Sequence, residues 1–192
     1  LAFDNKQGDQ AVLRRQLGLH PKMSMVLLLG GAEGMGGLLP IAQAIVARRP
    51  HAQLVIITGR NEKLRARLDA QKWRIPVKVV GYTDKMHQWM RAADLLLSKA
   101  GPSTISEALA TGLPLVLTGY LPGQEEANIR FVVDSGAGVY QSAPEEIAHL
   151  VQLWTTPGNP VLQEMAAHAR QAGRQEAAKN AVDILYDLGE NA

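Results

Sequence analysis

Short, unbroken apolar runs recur along the chain, at 25–29, 54–57, 77–80, 95–97, 115–117 and 138–140. A strand with one wet face would alternate, so these runs predict strands covered on both faces. Between them lie longer stretches with helical spacing. Apolar residues at 38, 41, 42, 45 and 46 mark a helix over 38–48, and comparable patterns predict helices over 62–71, 86–93, 104–111 and 124–134. Repeated alternation of strand and helix predicts an α/β domain: a doubly wound, parallel, six-stranded Rossmann-like sheet. After the last strand, 144–153, 160–172 and 175–188 read as C-terminal helices. No low-complexity linker interrupts the chain, so a single domain over 1–192 is expected.

Ligands of such sheets bind beyond the carboxyl ends of the strands, where loops feed helix N-termini. The unusual residues of this chain fall there. Gly30-Gly31-Ala32-Glu33-Gly34-Met35-Gly36-Gly37 follows the first run, Gly81-Tyr82 the third, Ser98-Lys99-Ala100-Gly101-Pro102-Ser103-Thr104 the fourth, and Gly119-Tyr120-Leu121-Pro122-Gly123-Gln124-Glu125-Glu126 the fifth. All four loops should converge on one crevice.

Composition narrows the classes. With 46% hydrophobic and 20% charged residues, the chain can bury a core, which excludes disorder. No apolar run approaches the roughly 18 residues needed to span a bilayer, and the absence of cysteine removes disulfides and thiolate chemistry. The net charge of +2 hides an asymmetry: between 48 and 78 nine basic residues face two acidic ones, whereas from 103 onward eleven acidic residues face four basic. The basic stretch suits a solvated helix face or an anionic membrane surface. Trp73, read as a packing residue or a bilayer contact, is its one aromatic residue, short of the interleaving that base stacking would require, so no nucleic-acid partner is expected. The five histidines show no metal-ligand spacing and Asp-x-Asp is absent, so no metal site is expected.

Five glycines in the eight positions from Gly30 to Gly37 let backbone N–H groups approach a ligand at a helix start, and phosphate is the natural guest. The spacing is neither that of a Walker loop nor that of a dinucleotide fingerprint. Gly101, Ser103 and Thr104 open a second helix whose N–H groups and hydroxyls suit a diphosphate. Glu107 follows Thr104 by three, and two readings stay open: a capping box with Thr104, or a carboxylate that accepts from a ribose diol.

Gly30-Gly31-Ala32-Glu33-Gly34-Met35-Gly36, Gly59-Arg60-Asn61, Lys99-Ala100-Gly101-Pro102-Ser103-Thr104-Ile105-Ser106-Glu107-Ala108 and Gly123-Gln124-Glu125-Glu126-Ala127-Asn128 resemble the monogalactosyldiacylglycerol synthases and the related processive diacylglycerol glucosyltransferases, which are of the glycosyltransferase family 28 type. More distantly the chain is similar to the peptidoglycan N-acetylglucosaminyltransferase of the same GT-B fold. The likeness runs from about 13 to 188 and covers the C-terminal, donor-binding half of such an enzyme.

The resemblance implies that Gly81-Tyr82 offers backbone groups to the uracil of a UDP-sugar, with Met86 packing nearby. It further implies that Glu107 holds the ribose. Gly34, Met35 and Gly36, with Gly101, Ser103 and Thr104, would hold the diphosphate, and Gln124 and Glu125 the sugar hydroxyls. Family members usually carry glycine where this chain has Ala32 and Ser103. No catalytic residue is expected in these residues, because the resemblance places the base and the diacylglycerol site on an N-terminal domain that is absent here. The implied reaction is an inverting transfer of galactose or glucose to the 3-hydroxyl of diacylglycerol by a metal-free, cofactor-free enzyme, peripheral on the cytoplasmic side of a membrane. A chain that opens at Leu1 reads as a piece cut from something longer and inactive alone. The alternatives are a separate donor-binding subunit of a two-chain enzyme, or an NADP-dependent oxidoreductase with Arg60 on the 2′-phosphate, which the glycine spacing disfavours.

Overall fold

Within the described residues, each apolar run becomes a strand and each helical pattern a helix. The computed structural model describes residues 10–30 and 37–173. In chain order the elements are α1 (Gln10–Gln16), β1 (Ser24–Leu29), α2 (Leu38–Ala47), β2 (Ala52–Ile57), α3 (Glu62–Asp69), β3 (Val77–Val80), α4 (Met86–Ala92), β4 (Leu95–Lys99), α5 (Pro102–Ala110), β5 (Leu115–Gly119), α6 (Glu126–Asp134), β6 (Gly138–Tyr140), α7 (Pro144–Trp154) and α8 (Val161–Ala172). The six strands form one sheet in the order β3-β2-β1-β4-β5-β6, with all neighbours parallel. The doubly wound α/β expectation holds.

Alternate side chains of the central strands feed two separate cores. Met25, Leu27, Val55, Leu96 and Leu115 point to the layer that holds Trp89 and Met90 of α4, Ile105 and Leu109 of α5, Val132 of α6 and Ala169 of α8. Val26, Leu28, Leu54, Ile56 and Leu97 point to the opposite layer, with Ile41 and Ile45 of α2, Leu68 of α3, and Ile147, Val151 and Trp154 of α7. After β6, at one edge, the chain crosses back so that α7 packs against α2. Trp73, half-buried, also packs against this second layer.

Three local expectations change. The runs at 77–80 and 138–140 form the two edge strands, where there is no outer neighbour: β3 is half-buried throughout, and Tyr140 of β6 is exposed. Helix α1 has no apolar periodicity to announce it. Its Arg14 is buried, donating through Nε to the Ala92 carbonyl (2.8 Å), through Nη1 to the Met23 carbonyl (3.1 Å) and through Nη2 to Asp94 (2.7 Å). Asp94 also accepts from the Met25 N–H at 2.7 Å, so one ion pair ties α1 to the amino end of β1 and to the start of β4. Finally, α5 begins at Pro102 rather than at 104, because proline fits the first helical position, where no N–H is needed. The helix expected over 175–188 lies outside the described residues.

Candidate functional site

Strand order dictates where a site can form. From β1 the chain winds outward to β2 and β3, and from β4 it winds the other way to β5 and β6, so the two halves part between β1 and β4. The loops that leave these strands diverge and open a crevice at their carboxyl ends. Gly30 continues β1 and donates to the Ile57 carbonyl at 3.0 Å, and Gly37, at φ 63°, opens α2. Gly34, Met35 and Gly36, expected at the diphosphate, lie between them and outside the described residues.

The other wall of the crevice is the start of α5. Gly101 is its N-cap in extended conformation, and no side chain caps it. The Gly101 N–H turns back to the Lys99 carbonyl (2.8 Å), Pro102 has no N–H, and the first helical bond runs from Ile105 to the Gly101 carbonyl (3.0 Å). The N–H groups of Ser103 and Thr104 are therefore left without a backbone acceptor, beside an exposed and a half-buried hydroxyl. That is the geometry of an anion site.

One turn further, Glu107 lies on the flank it shares with Thr104. With Gly101 as the cap, Thr104 is the third helical residue, so the Thr104–Glu107 capping box is ruled out. The Glu107 carboxylate is half-buried, and burial pushes its pKa above the ordinary carboxylate value. Among the described residues it meets no hydrogen-bond or ion-pair partner. A desolvated, unpaired carboxylate in a crevice is poised to accept a ligand's hydroxyl protons.

Glu125 stands at the N-cap of α6. Its side chain is 6% exposed, and both oxygens are engaged: Oε1 takes the ammonium of Lys99 at 2.7 Å and Oε2 the Leu121 N–H at 2.9 Å. Burial raises its pKa, but the hydrogen bonds from Lys99 and Leu121 and the Lys99 charge outweigh that and leave it lowered. Through these bonds Glu125, expected at the sugar hydroxyls beside Gln124, clamps the β4–α5 loop to the β5–α6 loop. Asn128 adds a second tie, donating to the Ala100 carbonyl at 2.9 Å. Gln124 remains exposed at the lip of the same turn, with no side-chain hydrogen bond among the described residues. Glu126 points elsewhere and accepts from the Gly123 N–H at 2.7 Å.

Sequence reasoning assigned no role to Lys99. Its signal was present, a lysine closing an apolar run directly before the glycine of a helix start. The pairing of β4 with β5 also slips there, so that Lys99 faces Gly119 where an unbroken register would give Thr118. At the far side, Tyr82 follows β3 with 66% of its surface exposed, and the Arg60 guanidinium stacks 5.0 Å from its ring centre. Met86, at the start of α4, is half-buried against the first core layer. These residues flank the crevice on the β2–β3 side, separate from the Glu107–Glu125 group.

The basic stretch wraps the β3 edge without forming one plane. Lys78 is spent on the Leu17 carbonyl (2.6 Å) and Arg65 sits between Glu62 and Asp69. Arg60, Lys63, Arg67, Lys72 and Arg74 stay exposed, with Lys63 and Arg67 on one face of α3. Among the described residues, no helix is long and apolar enough to cross a membrane.

Comparison with known proteins agrees with this picture. Residues 25–182 match the glycosyltransferase family 28 C-terminal domain. Probable monogalactosyldiacylglycerol synthase 2 of Oryza sativa subsp. japonica is 40% identical over 187 residues, covering 94% of this chain and 40% of that protein. Monogalactosyldiacylglycerol synthase 2 of Arabidopsis thaliana is 40% identical over 185 residues, covering 93% and 39%. Both of these relatives are described as chloroplastic. The chain thus spans about two fifths of the length of these relatives. Among solved structures, Acinetobacter baumannii MurG superposes with a TM-score of 0.73 at 22% identity, over 97% of this chain and 55% of that one. HepE of Anabaena, in complex with UDP-glucose, gives 0.69 at 19% identity, over 99% and 54%.

Proposed function

The chain belongs to glycosyltransferase family 28, matching its C-terminal domain, and on that premise we propose that it binds the UDP-sugar donor of a lipid glycosyltransferase. The observation that carries the reading is the start of α5: two backbone N–H groups without acceptors, at the switch point of the sheet, one turn before an unpaired, half-buried Glu107. A nucleoside diphosphate supplies what each part lacks. Its phosphate oxygens accept from Ser103 and Thr104, and its ribose 2′- and 3′-hydroxyls donate to Glu107. The uracil lies toward Gly81 and Tyr82, and the sugar toward Gln124.

The donor is UDP-galactose or UDP-glucose and the acceptor the 3-hydroxyl of diacylglycerol. The acceptor oxygen forms a bond to the anomeric carbon from the face opposite the diphosphate, the bond from that carbon to UDP breaks, and configuration inverts. A base on a domain beyond these residues takes the hydroxyl proton. What this chain contributes is stabilisation of the departing UDP by preorganised donors, which strengthen as negative charge develops on the diphosphate. No metal or cofactor is part of the scheme. A lipid acceptor calls for a peripheral position at a membrane, and the exposed basic residues near β3 suit an anionic surface.

Calorimetric titration of the chain with UDP, UDP-galactose, UDP-glucose and NADPH tests the reading. UDP and at least one UDP-hexose should bind, NADPH should not, and these residues alone should pass no hexose to diacylglycerol. Binding of NADPH in preference to UDP would replace this reading with the oxidoreductase one.

A further inference from the structure

We propose that Lys99 is the cation that meets the donor's diphosphate, and that Glu125 is a positioning residue that holds it there. The inference rests on the donor reading above and deepens it. Lys99 ends β4, one of the two strands between which the sheet divides, and thus stands in the floor of the crevice. The register slip at Ser98/Lys99 is the kind of irregularity that re-aims a side chain beside a site. A Cβ built on Gly101 would lie 3.7 Å from the Lys99 Nζ and 4.0 Å from Glu125 Oε1, so the ion pair borders the N-cap of α5, where the phosphates are placed.

The two partners are unequally buried: Glu125 is 6% exposed and Lys99 38%. An ammonium has three N–H donors, and Lys99 spends one on Glu125. Among the described residues no other side chain or carbonyl accepts from Lys99. Glu125 has the opposite character, with both oxygens committed and almost no surface. A lysine alone at this point would sweep its charge through many rotamers. Pinned by a buried carboxylate that is itself tied to the Leu121 N–H, it presents the charge at one place.

The charge is needed. A diphosphate carries at least two negative charges, whereas a helix N-terminus offers roughly half a positive one, and α5 lacks one of its N–H donors through Pro102. The Glu125 clamp also makes the β5–α6 turn, which carries Gln124, move as one with the diphosphate wall.

The experiment compares UDP with uridine, which shares the base and ribose but has no phosphate, by NMR titration of the chain. Lys99→Met combined with Glu125→Gln removes both charges, so that no buried carboxylate is left unpaired, and a thermal melt checks folding. UDP affinity should fall about tenfold to a hundredfold, the range of one charge-assisted hydrogen bond, while uridine affinity stays unchanged. Lys99→Arg should retain most of the preference for UDP over uridine. Glu125→Gln alone should fall between, since the charge remains but its hold loosens. The UDP affinity of the double variant should also depend less steeply on salt than that of the unsubstituted chain. A folded double variant that keeps the UDP-to-uridine ratio would reduce Lys99–Glu125 to a tie between loops and overturn the proposal. Equal losses for both ligands would overturn it as well. Failure of the unsubstituted chain to bind UDP at all would instead bring down the donor reading, and this inference with it.

Discussion

Glu107 gives the sharpest test of the donor site, because its environment sets opposite expectations for stability and for binding. The carboxylate is half-buried without a partner, and burial raises its pKa. Raised in the folded state, such a group binds its proton more readily folded than unfolded. Stability therefore falls as pH climbs from the unfolded-state pKa through the folded-state one, and the penalty is complete above both. Glu107→Gln should thus stabilise the chain at neutral pH and leave it unchanged in acid, where the carboxyl is protonated in both states. Binding should move the other way. Two ribose hydroxyls donating to a carboxylate form charge-assisted hydrogen bonds of about 1.5–3 kcal/mol each, reduced because the ligand's own hydroxyls must leave water. A net loss of about 2–3 kcal/mol, roughly 30- to 150-fold in Kd, is expected on Glu107→Ala. Calorimetry with UDP and with its 2′,3′-dideoxy analogue completes the cycle: the dideoxy ligand should bind weakly to the unsubstituted chain and lose little more on substitution. UDP affinity should also decline as pH falls through the Glu107 pKa. If a folded Glu107→Ala chain bound UDP with its original affinity, or lost the dideoxy ligand equally, the ribose assignment would be wrong.

Gln124→Ala should spare UDP and weaken only the increment that the hexose adds, by about 1 kcal/mol for an exposed neutral hydrogen bond, read as the ratio of UDP-hexose to UDP affinity. Arg14→Met should cost about 3–5 kcal/mol in urea unfolding, because it strips a largely buried carboxylate, Asp94, of its charged partner. Co-sedimentation with anionic vesicles should exceed that with neutral ones and fade with salt. Lys63→Ala with Arg67→Ala should cost about 1 kcal/mol per charge removed, and equal binding to both vesicle types would return these residues to a solvated face.

The sheet was legible because parallel strands buried on both faces leave runs such as Met25–Leu29 that few other structures need. The same rule misjudged Val77–Val80 and Gly138–Tyr140, since a run of apolar residues does not say which strand ends the sheet. Helix α1 was invisible because only Leu13 and Leu17 mark its apolar side, and it is secured as well by Arg14 reaching Asp94, eighty positions away. The start of α5 was misplaced by two residues, and with it the capping reading of Glu107. The link from Glu125 to Lys99 was not legible. The ion pair spans 26 positions, and nothing in the local pattern around either residue encodes it.

The return of α7 onto α2 also governs when the domain can finish folding. In order of synthesis β1, α2 and β2 follow α1, yet α2 meets its neighbour α7 only roughly a hundred residues later. At synthesis rates of about 5–20 residues per second, the stripe that includes Ile41 and Ile45 waits on the order of 5–20 seconds. The central strand β1 likewise lacks β4 on one side for most of that interval. High sequence separation between contacts slows folding in general. Here it makes the last helices a requirement for the first layer, so a chain halted before Pro144 would present an unfinished apolar layer to its surroundings rather than a smaller domain.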